Sequence, residues 1–77
     1  NNDESGLVRR SDGSWLVDGL MALQEFREAL GIHDTMGEES GNYHTLAGFC
    51  MTQIGRIPKV GEVFFWEGWR FEVVDMD

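Results

Sequence analysis

The sequence predicts an α+β fold: a small, mainly antiparallel sheet, built from an N-terminal strand and a C-terminal hairpin, packed by two helices. Three observations predict it. Leu23, Phe26 and Leu30 recur at three- and four-residue spacing, the period of a helix with one buried face. Leu46, Phe49, Cys50 and Ile54 draw a second apolar stripe. The stretch "EVFFWEGWRFEVV" is rich in strand formers and breaks at Glu67-Gly68, as two strands joined by a tight turn do. Helices and hairpin occupy separate regions, which favours α+β over an alternating α/β order.

Taken in order, residues 1–11 read as a polar linker, and one domain runs from residue 12 to residue 77. "SWLV", Ser14 to Val17, is a short strand bounded by Gly13 and Asp18-Gly19. The first helix lies within Leu20 to Gly31, with Gln24, Glu25, Arg27 and Glu28 outward and Gly31 at the C-cap. "HDTMGEESGN" is a polar, acidic loop. Thr45 is placed to N-cap the second helix, Gly55 to stop it, and Pro58 to keep it from resuming. Gly48 inside that helix costs it about 1 kcal/mol relative to Ala. Close approach of a neighbouring element is one reason for a glycine there.

The hairpin strands span Glu62 to Trp66 and Trp69 to Met76. If Trp66 pairs with Trp69, Phe64 faces Phe71 and Glu62 faces Val73. Glu is not the usual first residue of a type I′ turn, and a bulged turn with Gly68 left-handed is the alternative, with the register moved by one residue.

Composition narrows the function classes. The 77 residues carry 14 acidic and 6 basic side chains, a net charge of −8. Sequence-independent nucleic-acid binding needs clustered Lys and Arg, so it is disfavoured, as is adhesion to an anionic lipid surface. Cys50 is the single cysteine, so no internal disulfide forms, and a reducing setting fits. No apolar run approaches the roughly 20 residues of a membrane span, so direct membrane insertion is not expected.

No catalytic, cofactor-binding or metal-binding residues are assigned. His33, Asp34, Glu38, Glu39 and His44 could suggest a metal site, but the loop lacks the spacing of a calcium loop, and no H-E-x-x-H or C-x-x-C occurs. A solvated loop explains them. Cys50 and His44 are six residues apart, and Cys50 belongs to an apolar stripe, which marks a structural thiol. Arg56 and Lys59 beside Pro58 read as a solvent-facing turn, with anion binding as the alternative. No nucleophile is paired with a base, so the chain is not read as an enzyme.

Side-chain alternation places Phe64, Trp66, Trp69, Phe71 and Val73 on one face of the hairpin, the surface two short helices need to pack against. The other face carries Val63, Phe65, Val74 and Met76 beside Arg70 and Glu72. Apolar residues there break the expected in–out pattern. Either a helix covers this face too, or Val63, Phe65, Val74 and Met76 form an interaction surface for another chain.

"DGSWLVDG", "LQEFREALGI", "YHTLAGF", "GRIP" followed by "VGE", and "WEGWRFEVVDMD" together resemble the transporter-associated domain of the CorC/HlyC family, over Arg9 to Asp77. The resemblance implies a non-catalytic, cytoplasmic accessory module of membrane proteins associated with magnesium and cobalt efflux, some of them called hemolysins. It implies as partners a CBS-domain pair and a membrane domain in the same parent chain, and leaves room for self-association. It implies a fold like a piece of the flavin-binding domains of the p-cresol methylhydroxylase type. From that comes an alternative function, a flavin or adenine-nucleotide binding module. The family pattern continues past "MD" with a last strand, so a C-terminally shortened domain is expected. The positions of Val63 and Phe65 are commonly polar in that pattern, and here they are apolar.

Overall fold

Two β-ribbons flank a pair of helices in the computed structural model, which describes residues 6–74. Strand β1 (Leu7–Arg9) pairs antiparallel with β2 (Trp15–Val17), with Leu7 opposite Val17 and Arg9 opposite Trp15. Helix α1 (Leu23–Leu30) follows, then a single 3-10 turn at Glu38–Ser40, then helix α2 (Leu46–Ile54). Strands β3 (Val63–Trp66) and β4 (Trp69–Glu72) close the described chain as a second antiparallel ribbon. The class is α+β. The strands form two separate two-stranded sheets, so β2 pairs with β1 and not with the C-terminal hairpin.

The linker reading of residues 1–11 is corrected at Leu7–Arg9. A hairpin turn folds this segment back: Arg10 donates its N–H to the Ser14 carbonyl at 2.8 Å, and Asp12 accepts from the Ser14 N–H at 2.9 Å. Gly13 supplies the left-handed residue, φ +90°. The return buries Leu7 and sets the Arg9 guanidinium 5.0 Å from the Trp15 ring centre.

Each helix is held at its start by the segment that leads into the other. Leu23 at the head of α1 donates to the His44 carbonyl at 2.8 Å. In return, Leu46 and Ala47 at the head of α2 donate to Met21 (3.0 Å) and Gly19 (2.8 Å). These bonds satisfy first-turn N–H groups that a helix cannot pair internally. Thr45 adds a side-chain cap, its hydroxyl accepting from the Gly48 N–H at 3.1 Å. Gly31 and Gly55 end the two helices in the left-handed conformation.

Gly48 has its reason: a Cβ built there would lie 2.6 Å from the Cβ of Tyr43. The base of the Tyr43 side chain occupies the space a side chain at position 48 would need.

Phe49 is the centre of the core, with no exposed surface. Its ring meets Tyr43, Phe64, Trp66 and Phe71 at centroid distances of 6.2, 6.3, 5.6 and 5.8 Å. Leu7, Met21, Leu23, Phe26, Met36 and Leu46 complete the buried interior among the described residues. The hairpin turn is the two-residue form, Glu67 at φ 51° and Gly68 at φ 83°, so the unbulged register holds. Phe64, Trp66 and Phe71 pack on the core. Trp69, expected on the same face, sits at the hairpin tip and is exposed.

Candidate functional site

The strand alternation that sends Phe64 and Phe71 inward sends Val63, Phe65 and Val74 outward. Phe65 is 71% exposed, Val74 47% and Val63 37%. No helix covers this face among the described residues, so intramolecular cover, one of the two sequence readings, is not what the described chain provides. Beside the apolar residues lie Arg70 and Glu72, paired at 3.2 Å. Met76, the fourth residue of the expected surface, falls outside the described residues; the strand expected to run from Trp69 to Met76 ends at Glu72.

The carboxylates that could suggest a metal are occupied in holding loops. Among the described residues no group of three or more His, Cys, Asp or Glu side chains is placed to hold an ion. Glu38 bonds Arg27 at 3.0 Å and lies 3.6 Å from His44 Nδ1. The Thr35 hydroxyl donates to Glu39 and holds its carboxyl below the usual range. Asp34 accepts from the Met36 N–H at 2.7 Å, and Tyr43 donates its O–H to the Met36 carbonyl at 2.6 Å. Burial, with a smaller contribution from Glu39, pushes the Tyr43 phenol up. These bonds clamp Met36 into the core at 2% exposure, so a loop expected to be solvated is anchored by its one large apolar residue.

Arg56 forms a two-pronged pair with Glu62, one contact at 3.0 Å, and Glu62 also accepts from the Lys59 N–H at 2.7 Å. That guanidinium is neutralised within the turn. The Cys50 thiol is half-buried and pushed up to about 11 by burial, which leaves almost no thiolate at neutral pH.

Surface clefts occur elsewhere among the described residues. One of about 410 Å³ is lined by Tyr43, Gly48, Met51, Arg56 and Ile57. Another, of about 290 Å³, lies among Gln24, Arg27, Thr35, Glu38 and His44. Neither includes the hairpin aromatics. Phe64, Trp66 and Phe71, the flat surfaces a flavin would need, are taken up by one another and by Phe49.

The model of the transporter associated domain, CorC_HlyC, matches residues 8–77. The chain belongs to this family. Among curated relatives, the UPF0053 protein sll0260 of Synechocystis is 46% identical over 96% of the chain. The polyamine export protein of Salmonella typhimurium is 39% identical over the same share. The chain spans 16% of the length of each of these relatives. Of solved structures, the CorC_HlyC domain of a Xylella fastidiosa hemolysin is 49% identical, with a TM-score of 0.77 over 97% of this chain and 84% of that one. That Xylella domain has also been solved in complex with Mg++ and Mn++. The transporter associated domain of a Porphyromonas gingivalis CBS domain protein is 29% identical, with a TM-score of 0.80 over 94% of this chain and 84% of that one. As a CorC_HlyC domain, the chain has the accessory character of its family; among its described residues no helix is long and apolar enough to cross a membrane.

Proposed function

We propose that this CorC_HlyC domain is a non-catalytic regulatory module of a cation-exporting membrane protein, acting by protein contact on the cytoplasmic side. The observation that carries the reading is the open apolar face of Val63, Phe65 and Val74 on a domain of a transporter-associated family. The ionisable side chains support contact over chemistry: Glu38, Glu39 and Glu62 serve loops and turns, and the Cys50 thiol is protonated. The CBS-domain pair and membrane domain of the parent chain are the partners assigned, and the CBS context of the Porphyromonas relative supports the first.

Magnesium or cobalt is the cargo assigned first, and the Mg++ and Mn++ complex of the Xylella domain is in keeping with a divalent ion in this family. A second reading, a polyamine, is favoured by the name of the Salmonella relative. Both cargoes are small multivalent cations. The test is efflux of cobalt, magnesium and putrescine from cells carrying the parent protein, with or without this domain. Loss of the domain changes the efflux rate of one cargo several-fold at constant protein level. Unchanged rates for all three would remove the regulatory role. Micromolar magnesium or cobalt binding by the isolated chain, at defined stoichiometry in calorimetry, would replace contact with metal sensing.

A further inference from the structure

We infer that the outer face of the β3–β4 ribbon is a two-fold interface whose occupant is a second copy of this chain. The inference rests on the contact reading above, since it starts from the same open face and gives that face one occupant.

The strand register carries it. Phe65 lies across from Arg70, and Val63 across from Glu72, all four on the outer face. Both apolar residues are therefore on β3, and two opposite charges are on β4. Consider a two-fold axis crossing the ribbon at the level of the Phe64–Phe71 pair, midway between those two rows. Rotation about it lays Phe65 on the partner's Val63 and Arg70 on the partner's Glu72, and the same again in reverse. Apolar meets apolar and cation meets anion at every position, which is the self-complementarity a two-fold contact requires. Val74 lies beyond Glu72 on the side of the charged strand and is not part of this match. Aligned packing of two such faces is an ordinary sheet-on-sheet arrangement.

Charge also selects this face. A chain of net charge −8 repels its copies over most of its surface. The outer ribbon face is locally neutral, since it carries Arg70 with Glu72 and three apolar side chains. In the single chain the Arg70–Glu72 pair is solvated, with side chains 57% and 43% exposed. In the pair of chains each Arg faces two carboxylates with Phe65 shielding them from water.

Three apolar side chains are a small part of the roughly 800 Å² that each partner buries in a stable complex. The contact is accordingly weak for the chain in solution, with dissociation in the region of 0.1–1 mM expected, roughly the affinity of a few good contacts. Two copies held together by a larger assembly would use it at a much higher effective concentration.

Sedimentation equilibrium of the chain, from about 20 μM to about 1 mM, tests the inference. The weight-average mass is expected to climb from 8.8 kDa toward twice that value. Phe65→Ser, at an exposed position, keeps its fold by circular dichroism and stays at the single-chain mass. Arg70→Glu alone and Glu72→Arg alone also stay single, because each self-pairing sets like charges together. Their equimolar mixture associates at least as well as the wild type, because every facing pair is then opposite in sign. A bond within one chain cannot produce that rescue. A wild-type mass of 8.8 kDa throughout the range, Phe65→Ser associating as wild type does, or a mixture no heavier than its components would each overturn the inference. Cargo efflux is read on the parent protein and mass on the isolated chain, so the failure of one proposal is told apart from the failure of the other.

Discussion

Phe64 and Phe71 face each other across the hairpin with ring centres 4.8 Å apart and planes within 1° of parallel. The pair is the platform on which Phe49 rests, touching both rings at about 6 Å. Among the aromatic contacts, helix α2 therefore meets the C-terminal ribbon through Phe49, a side chain of no exposed area. Phe49→Ala removes the ring that Tyr43, Phe64, Trp66 and Phe71 all touch, and a buried Phe→Ala change costs about 3–5 kcal/mol. Small domains have about 0.05–0.15 kcal/mol of stability per residue, so this variant loses a large part of the total. Urea unfolding is expected to show a strongly lowered midpoint, while Phe65→Ala, 71% exposed, stays within about 0.5 kcal/mol of wild type.

The turn beneath that platform contains a misfit. Glu67 occupies φ 51°, a conformation that glycine and asparagine adopt readily and glutamate does not. Glu67→Asn keeps the two-residue turn and relieves this strain. The variant is expected to gain about 0.5–1 kcal/mol in urea unfolding, at unchanged slope. A loss of stability would mean that the Glu67 side chain serves the fold in a way its geometry does not show.

The helix boundaries were legible because each rests on local chemistry: Thr45 caps through its own hydroxyl, and Gly31 and Gly55 take left-handed turns that β-carbons resist. The hairpin register was legible for a similar reason, since pairing Trp66 with Trp69 leaves two residues for the turn. Strand β1 was not. Leu7, Val8 and Arg9 form three residues among polar neighbours, too few for a period to show, and the polar stretch read as linker. The signal was Asp12-Gly13 between two runs of strand formers, a hairpin turn that gave meaning to both sides. Met36 was hidden in another way. Its burial depends on Asp34, Gly37 and Tyr43 closing a loop around it, a tertiary event that periodicity does not record. For the outer hairpin face, alternation placed Val63, Phe65 and Val74 correctly, but only the positions of the helices decide whether anything covers them.

Acid should weaken the loop that joins α2 to β3. The hydrogen bond from Arg56, then that from the Lys59 N–H, draws the Glu62 carboxyl below its usual 4.5. A carboxyl with a folded-state pKa below its unfolded value adds stability that is fully present above the unfolded value and fades as pH falls through the folded one. The stability difference between wild type and Glu62→Gln is thus expected to be constant from pH 7 down to about pH 5 and to shrink below 4.5. Thermal melts of both proteins from pH 7 to pH 3 measure it. The difference cancels the general relief of negative repulsion on acidification, which both chains share. A gap that widens below pH 4.5 would show that this pair does not hold the loop.

Cys50 gives a measure of how firmly α2 is seated. Burial moves its thiol from 9.0 to about 11, which at pH 8 lowers the thiolate fraction by about 100-fold, since the two-unit rise enters as a power of ten. Alkylation by iodoacetamide at pH 8 is therefore expected to run about 100-fold slower in the folded chain than in the chain unfolded in urea, allowing for the reagent's intrinsic rate in urea. Thr45→Ala removes the cap of the same helix at a cost of about 1 kcal/mol. If alkylation proceeds through opening of α2, that variant accelerates it by about fivefold, the factor that 1 kcal/mol sets in the open population. If alkylation instead occurs on the closed helix, the Thr45 variant leaves the rate alone. The two variants of the measurement separate a thiol shielded by its helix from one that is merely protonated.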